Sequence, residues 1–494
     1  SPFAKSFSHL SSVRRICRNQ HLFSKIYISS LFRPHLNSIL RINFMIDMHR
    51  DKLLKLLISI SLMTIVFGQE LVIKTTTGLI RGKTVTVDDK PLRVWLGVPY
   101  AKPPVGPLRF RRPQAIDRWE GVKNSTEIPN ACCQKKPSKD EEIDNKFYKR
   151  ITLNKSEDCL VLNIHTPTLV NDTRNLSTLV WIHGGGFYKN AISKSEYDPE
   201  LLAVQQDVII ISIQYRLGVL GLLYLGDERA PGNMGLMDQA LGLQWVYDNV
   251  EKFGGSKYDI TLWGESAGAA SIGFHLISNH TRNLFQKVIM QSGSPFCFWS
   301  FAEPDELYIR SRLFAKYANC KKDNLTELYE CLMEKSGDDL VFADRSILPL
   351  APTIDGEYLT KDPFFAIQEK DYSPKPIMGG FVQCEGMPGL YELMKNVKTI
   401  NYTTFTKKDF DIFVKAASLG LDVPYETLKN ISEYYETIYL DFATGEVDYE
   451  EAAKQLFGDA FVGCPTLDFF NQIRGDLNEQ YLFFSTIGLI RTQV

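Results

Sequence analysis

Gly264-Glu265-Ser266-Ala267-Gly268 sets a serine between two glycines, directly after the apolar run 259–263 (DITLW) and at the start of the helical pattern 267–277. A serine on a strand-to-helix turn has its hydroxyl lifted clear of the sheet, and glycines on either side avoid collisions with the neighbouring strand or helix. The helix N-terminus beneath it favours developing negative charge. The chemistry implied is attack by the Ser266 hydroxyl on a carbonyl carbon. A second stretch, Trp181-Ile182-His183-Gly184-Gly185-Gly186-Phe187, ends another apolar run in three glycines. Bare amides there, together with that of Ala267, can surround a substrate oxygen as an oxyanion hole. The competing readings are an ordinary glycine-rich turn and a phosphate cradle. The Lys-Ser/Thr pair of a phosphate-binding loop is absent, which disfavours the cradle.

Positioning these groups takes a sheet. Strand-like runs at 159–166, 177–183, 207–214, 259–263, 286–291, 376–381 and 480–485 alternate with helical patterns, predicting an α/β fold with a mostly parallel central sheet flanked by helices. Leu236, Ala240, Leu243, Tyr247 and Val250 recur at helical spacing with Asp238, Gln239 and Asp248 between them, predicting an amphipathic helix over one sheet face. With no boundary visible, residues 69–494 read as a single domain. The 494 residues are 44% hydrophobic and 23% charged, enough for a large core. The net charge of -2 hides an asymmetry: residues 1–68 carry ten basic and two acidic side chains, leaving 46 basic against 56 acidic. An acidic body without a basic run argues against nucleic-acid binding.

Met48 is followed by His49, Arg50, Lys52 and Lys55, then by the apolar run 56–68. A membrane span needs ~20 apolar residues, so this run is too short to cross, and 48–68 reads as a secretory signal cut before Gln69. Residues 1–47 read as translated upstream message or a disordered leader. Eight Asn-x-Ser/Thr sequons, at Asn124, Asn154, Asn171, Asn175, Asn279, Asn324, Asn401 and Asn430, all follow that cut, as expected of a secreted glycoprotein. Eight of the nine cysteines also follow it, and an oxidising compartment would pair some of them.

The chain resembles the type B carboxylesterase/cholinesterase family of α/β-hydrolases. The likeness runs through Gly97-Val98-Pro99-Tyr100 and PPVGPLRF (103–110), EDCLVLNIHTP (157–167), WIHGGGF (181–187), QYRLGVLG (214–221), GNMGLMDQALGLQWV (232–246), TLWGESAGAAS (261–271), QSGSP (291–295) and DGEYLTKDP (355–363). It implies Ser266 as nucleophile, Gly185, Gly186 and Ala267 as oxyanion donors, and Glu385 as the acid. Glu385 lies in Gly380-Phe381-Val382-Gln383-Cys384-Glu385-Gly386, where Val382 stands in place of the family's usual Asn. The likeness further implies disulfides Cys132–Cys159 and Cys320–Cys331, with buried ion pairs Arg109–Glu157 and Arg216–Asp238. It implies no metal or organic cofactor and a small-molecule ester as partner; the oligomeric state is unreadable.

A serine hydroxyl needs a base, and the order in this fold is Ser, acid, His. The eight histidines are His9, His21, His35, His49, His165, His183, His275 and His280, and none follows Glu385. The expectation is a chain without its C-terminal part and inactive in that form, since losing the base of a serine triad costs about 10⁶ in kcat. The alternative is a non-catalytic, cholinesterase-like adhesion or binding protein. Cholinesterases bind quaternary ammonium through a Trp between the first two cysteines. Residues 133–158 contain no Trp, so a broader carboxylesterase is expected.

Overall fold

Ten strands make the main sheet: β1 (Lys83–Val87), β2 (Lys90–Pro99), β3 (Val161–Thr166), β4 (Leu176–Ile182), β5 (Ile209–Ile213), β6 (Gly255–Glu265), β7 (Lys287–Gln291), β8 (Ile377–Val382), β9 (Gln480–Ser485) and β10 (Leu489–Ile490). They come from a computed structural model that describes residues 71–135, 154–167, 174–193, 199–343, 350–382, 385–386, 405–420, 424–474, 480–485 and 489–490. The expected leader and signal, Asn171, Asn401 and Cys384 lie outside the described residues.

The strand order is β10-β9-β8-β7-β6-β4-β5-β3-β2-β1. The run from β9 to β5 is parallel throughout, whereas β1, β2 and β3 continue the sheet antiparallel. The sequence of β5, Ile-Ile-Ile-Ser-Ile, is buried at every position, as a strand covered on both faces requires. All seven expected strands occur, with ends shifted by a few residues.

Two helices cover the centre of the sheet. In α1 (Met234–Asn249), Leu236, Leu243 and Val246 are buried, but so are Asp238 and Gln239. The expected amphipathic division is therefore corrected in part: Asp238 and Gln239 face inward, while Asp248 is exposed as expected. Asp238 can lie there because Arg216 meets it fork to fork, Nε to Oδ2 and Nη2 to Oδ1 both at 2.7 Å. The Arg216 backbone N–H also donates to Asp238 Oδ2 at 3.0 Å. Helix α2 (Ala267–Ile277) is buried along its whole length, as befits a helix of small and apolar residues.

Beyond the sheet, α3 (Lys407–Gly420), α4 (Tyr425–Ile438) and α5 (Tyr449–Gly458) close on a separate apolar cluster of Phe410, Phe413, Val414, Leu428, Tyr435 and Leu456. A short π-helical turn (Asp459–Gly463) leads into α6 (Cys464–Ile473). The disulfides Cys132–Cys159 and Cys320–Cys331 are both formed. Cys133 stays a buried thiol beside the first of them. Arg109 grips Glu157 through Nε–Oε2 at 2.7 Å and Nη2–Oε1 at 2.5 Å.

Removing one partner of a buried ion pair leaves the other charged and uncompensated. Asp238→Asn should therefore lower the unfolding free energy by about 3 kcal/mol or more, measured from the urea midpoint at constant slope. A loss below about 1 kcal/mol would place the pair among weak surface contacts.

Candidate active site

The parallel registers bring several chain turns to one edge. Gly264 of β6 is level with Ile182 of β4, Glu265 with Gln291 of β7, and Gln291 with Gly380 of β8. The residues that leave these strands, Gly184, Ser266, Ser292 and the segment toward Glu385, therefore emerge together at the C-terminal ends, where open parallel sheets place their sites.

Ser266 sits at φ 54°, ψ -121° at the start of α2, a backbone conformation that non-glycine residues seldom adopt. Its N–H donates to Gln291 O at 2.8 Å and its carbonyl accepts from Ala270 N at 3.0 Å. The glycines that flank it have no room for a side chain. A Cβ on Gly264 would lie 2.6 Å from Gly268 C, and one on Gly268 would lie 2.0 Å from Ile182 O.

The glycine loop meets this turn directly. A Cβ on Gly184 would stand 2.6 Å from Glu265 Oε2 and 3.0 Å from Ser266 Cβ. Gly185 and Gly186 take φ values of 104° and 60°. The Gly185 carbonyl accepts from Tyr188 N and Lys189 N, both at 3.1 Å. At the start of the loop the Tyr215 hydroxyl donates to His183 O at 2.6 Å, and the Tyr215 ring stacks on the imidazole at 4.4 Å. Farther on, Gln134 and Asn190 exchange two hydrogen bonds of 2.8 Å. Gln134 is two residues from Cys132, so the first disulfide loop helps hold the glycine loop.

Two carboxylates belong to this edge. Glu385 Oε1 accepts from Val382 N at 2.9 Å, so the backbone supplies a donor where position 382 lacks an amide side chain. Burial raises the Glu385 carboxyl, while the Ser292 hydroxyl and the Val382 N–H pull it down by favouring the ionised form. Glu265 is pushed up to about 7, first by burial and then by the charge of Glu385. Neither Glu265 nor Ser292 stands out in the sequence. Both lie inside recognisable motifs, Gly-Glu-Ser-Ala-Gly and Gln-Ser-Gly-Ser-Pro, but only their interactions with Glu385 mark them out.

An aromatic wall flanks the glycine loop. Phe187, next after Gly186, lies 6.4 Å from Trp299, and Trp299 stacks on Phe461 at 5.8 Å. Trp299 Nε1 donates to Phe461 O at 3.0 Å, so the π-helical turn is fastened to this wall. The described histidines are engaged in the core or at the surface. His165 is buried in β3 and held down to about 4 by burial. The His183 Nδ1 is 2.9 Å from Gly184 O. His275 lies between Gln239 and Tyr358, and the exposed His280 stacks on Tyr358 at 5.9 Å. Among the described residues no group of His, Cys, Asp and Glu is arranged to hold a metal ion.

Comparison with known proteins agrees with this geometry. The sequence profile of the Carboxylesterase family matches residues 69–486. A cholinesterase of Mus musculus is 34% identical over 429 residues, covering 84% of this chain and 70% of that protein. An acetylcholinesterase of Bungarus fasciatus is 35% identical over 415 residues, covering 81% of this chain and 67% of that protein.

The raised Glu265 carboxyl has a consequence for stability. Below its ordinary value of 4.5 the carboxyl is protonated in both states and its contribution is fully present. As pH climbs to about 7 the unfolded chain releases a proton that the native site still holds, so that stability is lost through this window. Glu265→Gln should flatten the decline in urea midpoint across the same window; an equally steep decline in the variant would assign it to other groups.

Proposed function

The chain belongs to the carboxylesterase family, and from that premise we propose that it is a secreted hydrolase of carboxylic esters working through an acyl-serine intermediate. Ser266 attacks the ester carbonyl. The amides of Gly185, Gly186 and Ala267 hold the oxyanion, one such donor typically being worth ~2.7–4 kcal/mol of transition-state stabilisation. Glu385 orients the base and stabilises its protonated form. The observation that carries this reading is the close seating of the strained Ser266 turn against Gly184, with Glu385 held on the adjoining strand end by Val382 N and Ser292.

The base is the piece these 494 residues do not provide after Glu385. We propose that a histidine from outside this stretch of sequence completes the triad, and that these residues alone turn over slowly. The aromatic wall of Phe187, Trp299 and Phe461 favours apolar, uncharged esters. The absence of Trp from residues 133–158 supports a general carboxylesterase over a choline-ester enzyme. Six sequon asparagines, Asn124, Asn154, Asn175, Asn279, Asn324 and Asn430, are exposed, which supports glycosylation and passage through the secretory pathway. Asn324 caps the following helix through its Oδ1, accepting from Thr326 N and Glu327 N, and this leaves its Nδ2 for a glycan. Among the described residues no helix is long and apolar enough to cross a membrane.

The second reading, a binding protein without chemistry, draws on the lack of a histidine after Glu385. Free imidazole distinguishes the two, because a small exogenous base can replace a missing one near neutral pH. A neutral aryl phosphonate should label the 494-residue chain slowly at Ser266, imidazole should accelerate labelling, and Ser266→Ala should abolish it. Labelling that is absent with imidazole, or that survives Ser266→Ala, would favour the binding protein.

A further inference from the structure

Between the Ser266 helix and α1 lies a run of buried polar groups that the proposed chemistry does not use. Ala267, Ser271 and His275 recur every four residues along α2 and so share one helix face. The Ser271 hydroxyl donates to Ala267 O at 2.8 Å. Gln239 of α1 donates from Nε2 to Ser271 Oγ at 3.2 Å, and its Oε1 lies 3.0 Å from His275 Nε2. The Tyr358 hydroxyl is 2.5 Å from His275 Nδ1. Gln239, Ser271 and His275 are fully buried, and Tyr358 is 2% exposed.

The donor and acceptor inventory permits one direction only. The amide oxygen of Gln239 cannot donate, so His275 Nε2 carries the proton. His275 is held down to about 3 by burial, so the ring is neutral and Nδ1 is bare. Tyr358 therefore donates to it. At the other end a backbone carbonyl only accepts, so Ser271 donates to Ala267. Every dipole in the chain points its positive end toward the first turn of α2, in the same sense as the helix itself.

We propose that Tyr358, His275, Gln239 and Ser271 form a one-way hydrogen-bond chain that fixes Ala267 and adds its aligned dipoles to the oxyanion site. Gln239 and His275 are then positioning residues for the reaction, an assignment that rests on the proposed role of the Ala267 amide. Inserting aligned, preorganised dipoles behind an oxyanion donor strengthens it without reorganisation during the reaction.

The test uses the full chain and imidazole-supported labelling by a neutral aryl phosphonate. Gln239→Leu and the nearly isosteric Tyr358→Phe should each slow labelling of Ser266 about fivefold or more. Nitrogen NMR should show His275 as the neutral Nε2–H tautomer from pH 8 down to pH 5, and amide exchange over residues 267–271 should quicken in Tyr358→Phe. Lowered thermal midpoints with unchanged labelling rates, or an Nδ1–H tautomer, would overturn the proposal. If the unsubstituted chain does not label at all, the hydrolase reading fails. Exchange over 267–271 then decides the chain by itself: unchanged exchange in Tyr358→Phe overturns it, and faster exchange upholds the anchoring.

Discussion

The contact between Gly268 and the carbonyl of Ile182 governs the rest of the molecule's edge. No Cβ fits between them, so α2 lies as close to β4 as backbone can lie to backbone. That approach forces Ser266 into its strained turn, at a cost of order 1–3 kcal/mol for such a conformation. It also sets the distance from the serine to the glycine loop, because Ile182 is two residues before Gly184. Strain and proximity are thus one event, and neither can be relaxed without the other.

Around this contact the structure concentrates buried polar groups that are held in place by several neighbours at once. Glu385 draws on Val382 N and Ser292, while Glu265 lies between Gly184 and the charge of Glu385. Tyr215 and the Gln134–Asn190 exchange hold the two ends of the glycine loop. Preorganisation of this kind matters because a donor must already point at the developing charge when the reaction occurs. The disulfide Cys132–Cys159 contributes at one remove, through Gln134.

Much of the architecture is legible in the sequence because β-branched runs separated by helical patterns encode a parallel sheet directly. The parallel strands fall within a few residues of their expected places, and the Ser266 turn follows from two glycines and the elements around them. The strands β1 and β2 are harder to see. Lys83-Thr84-Val85-Thr86-Val87 lies at the sheet's edge and carries polar residues, and β2, one strand further in, opens on the turn-like Lys90-Pro91, so the apolar alternation of both is masked. In α1 the helical spacing by itself misleads. It sets Asp238 among the solvent-facing charges, and only the family resemblance pairs it with Arg216, because spacing along one helix cannot reveal a partner brought from another element. Glu265 and Ser292 share that difficulty: their significance lies in a carboxylate some hundred residues away in sequence, visible only once the strands are in register.

Cys133 carries a last implication. Its thiol is pushed up to about 11 by burial and by the neighbouring Glu157 and Asp338 carboxylates, and thiol exchange proceeds through the thiolate. Once the fold has closed over this sulfur, the adjacent Cys132–Cys159 link is guarded against scrambling by its own nearest competitor being kept protonated. The vicinal pair thus has a built-in division of labour, one sulfur for the cross-link and one rendered inert.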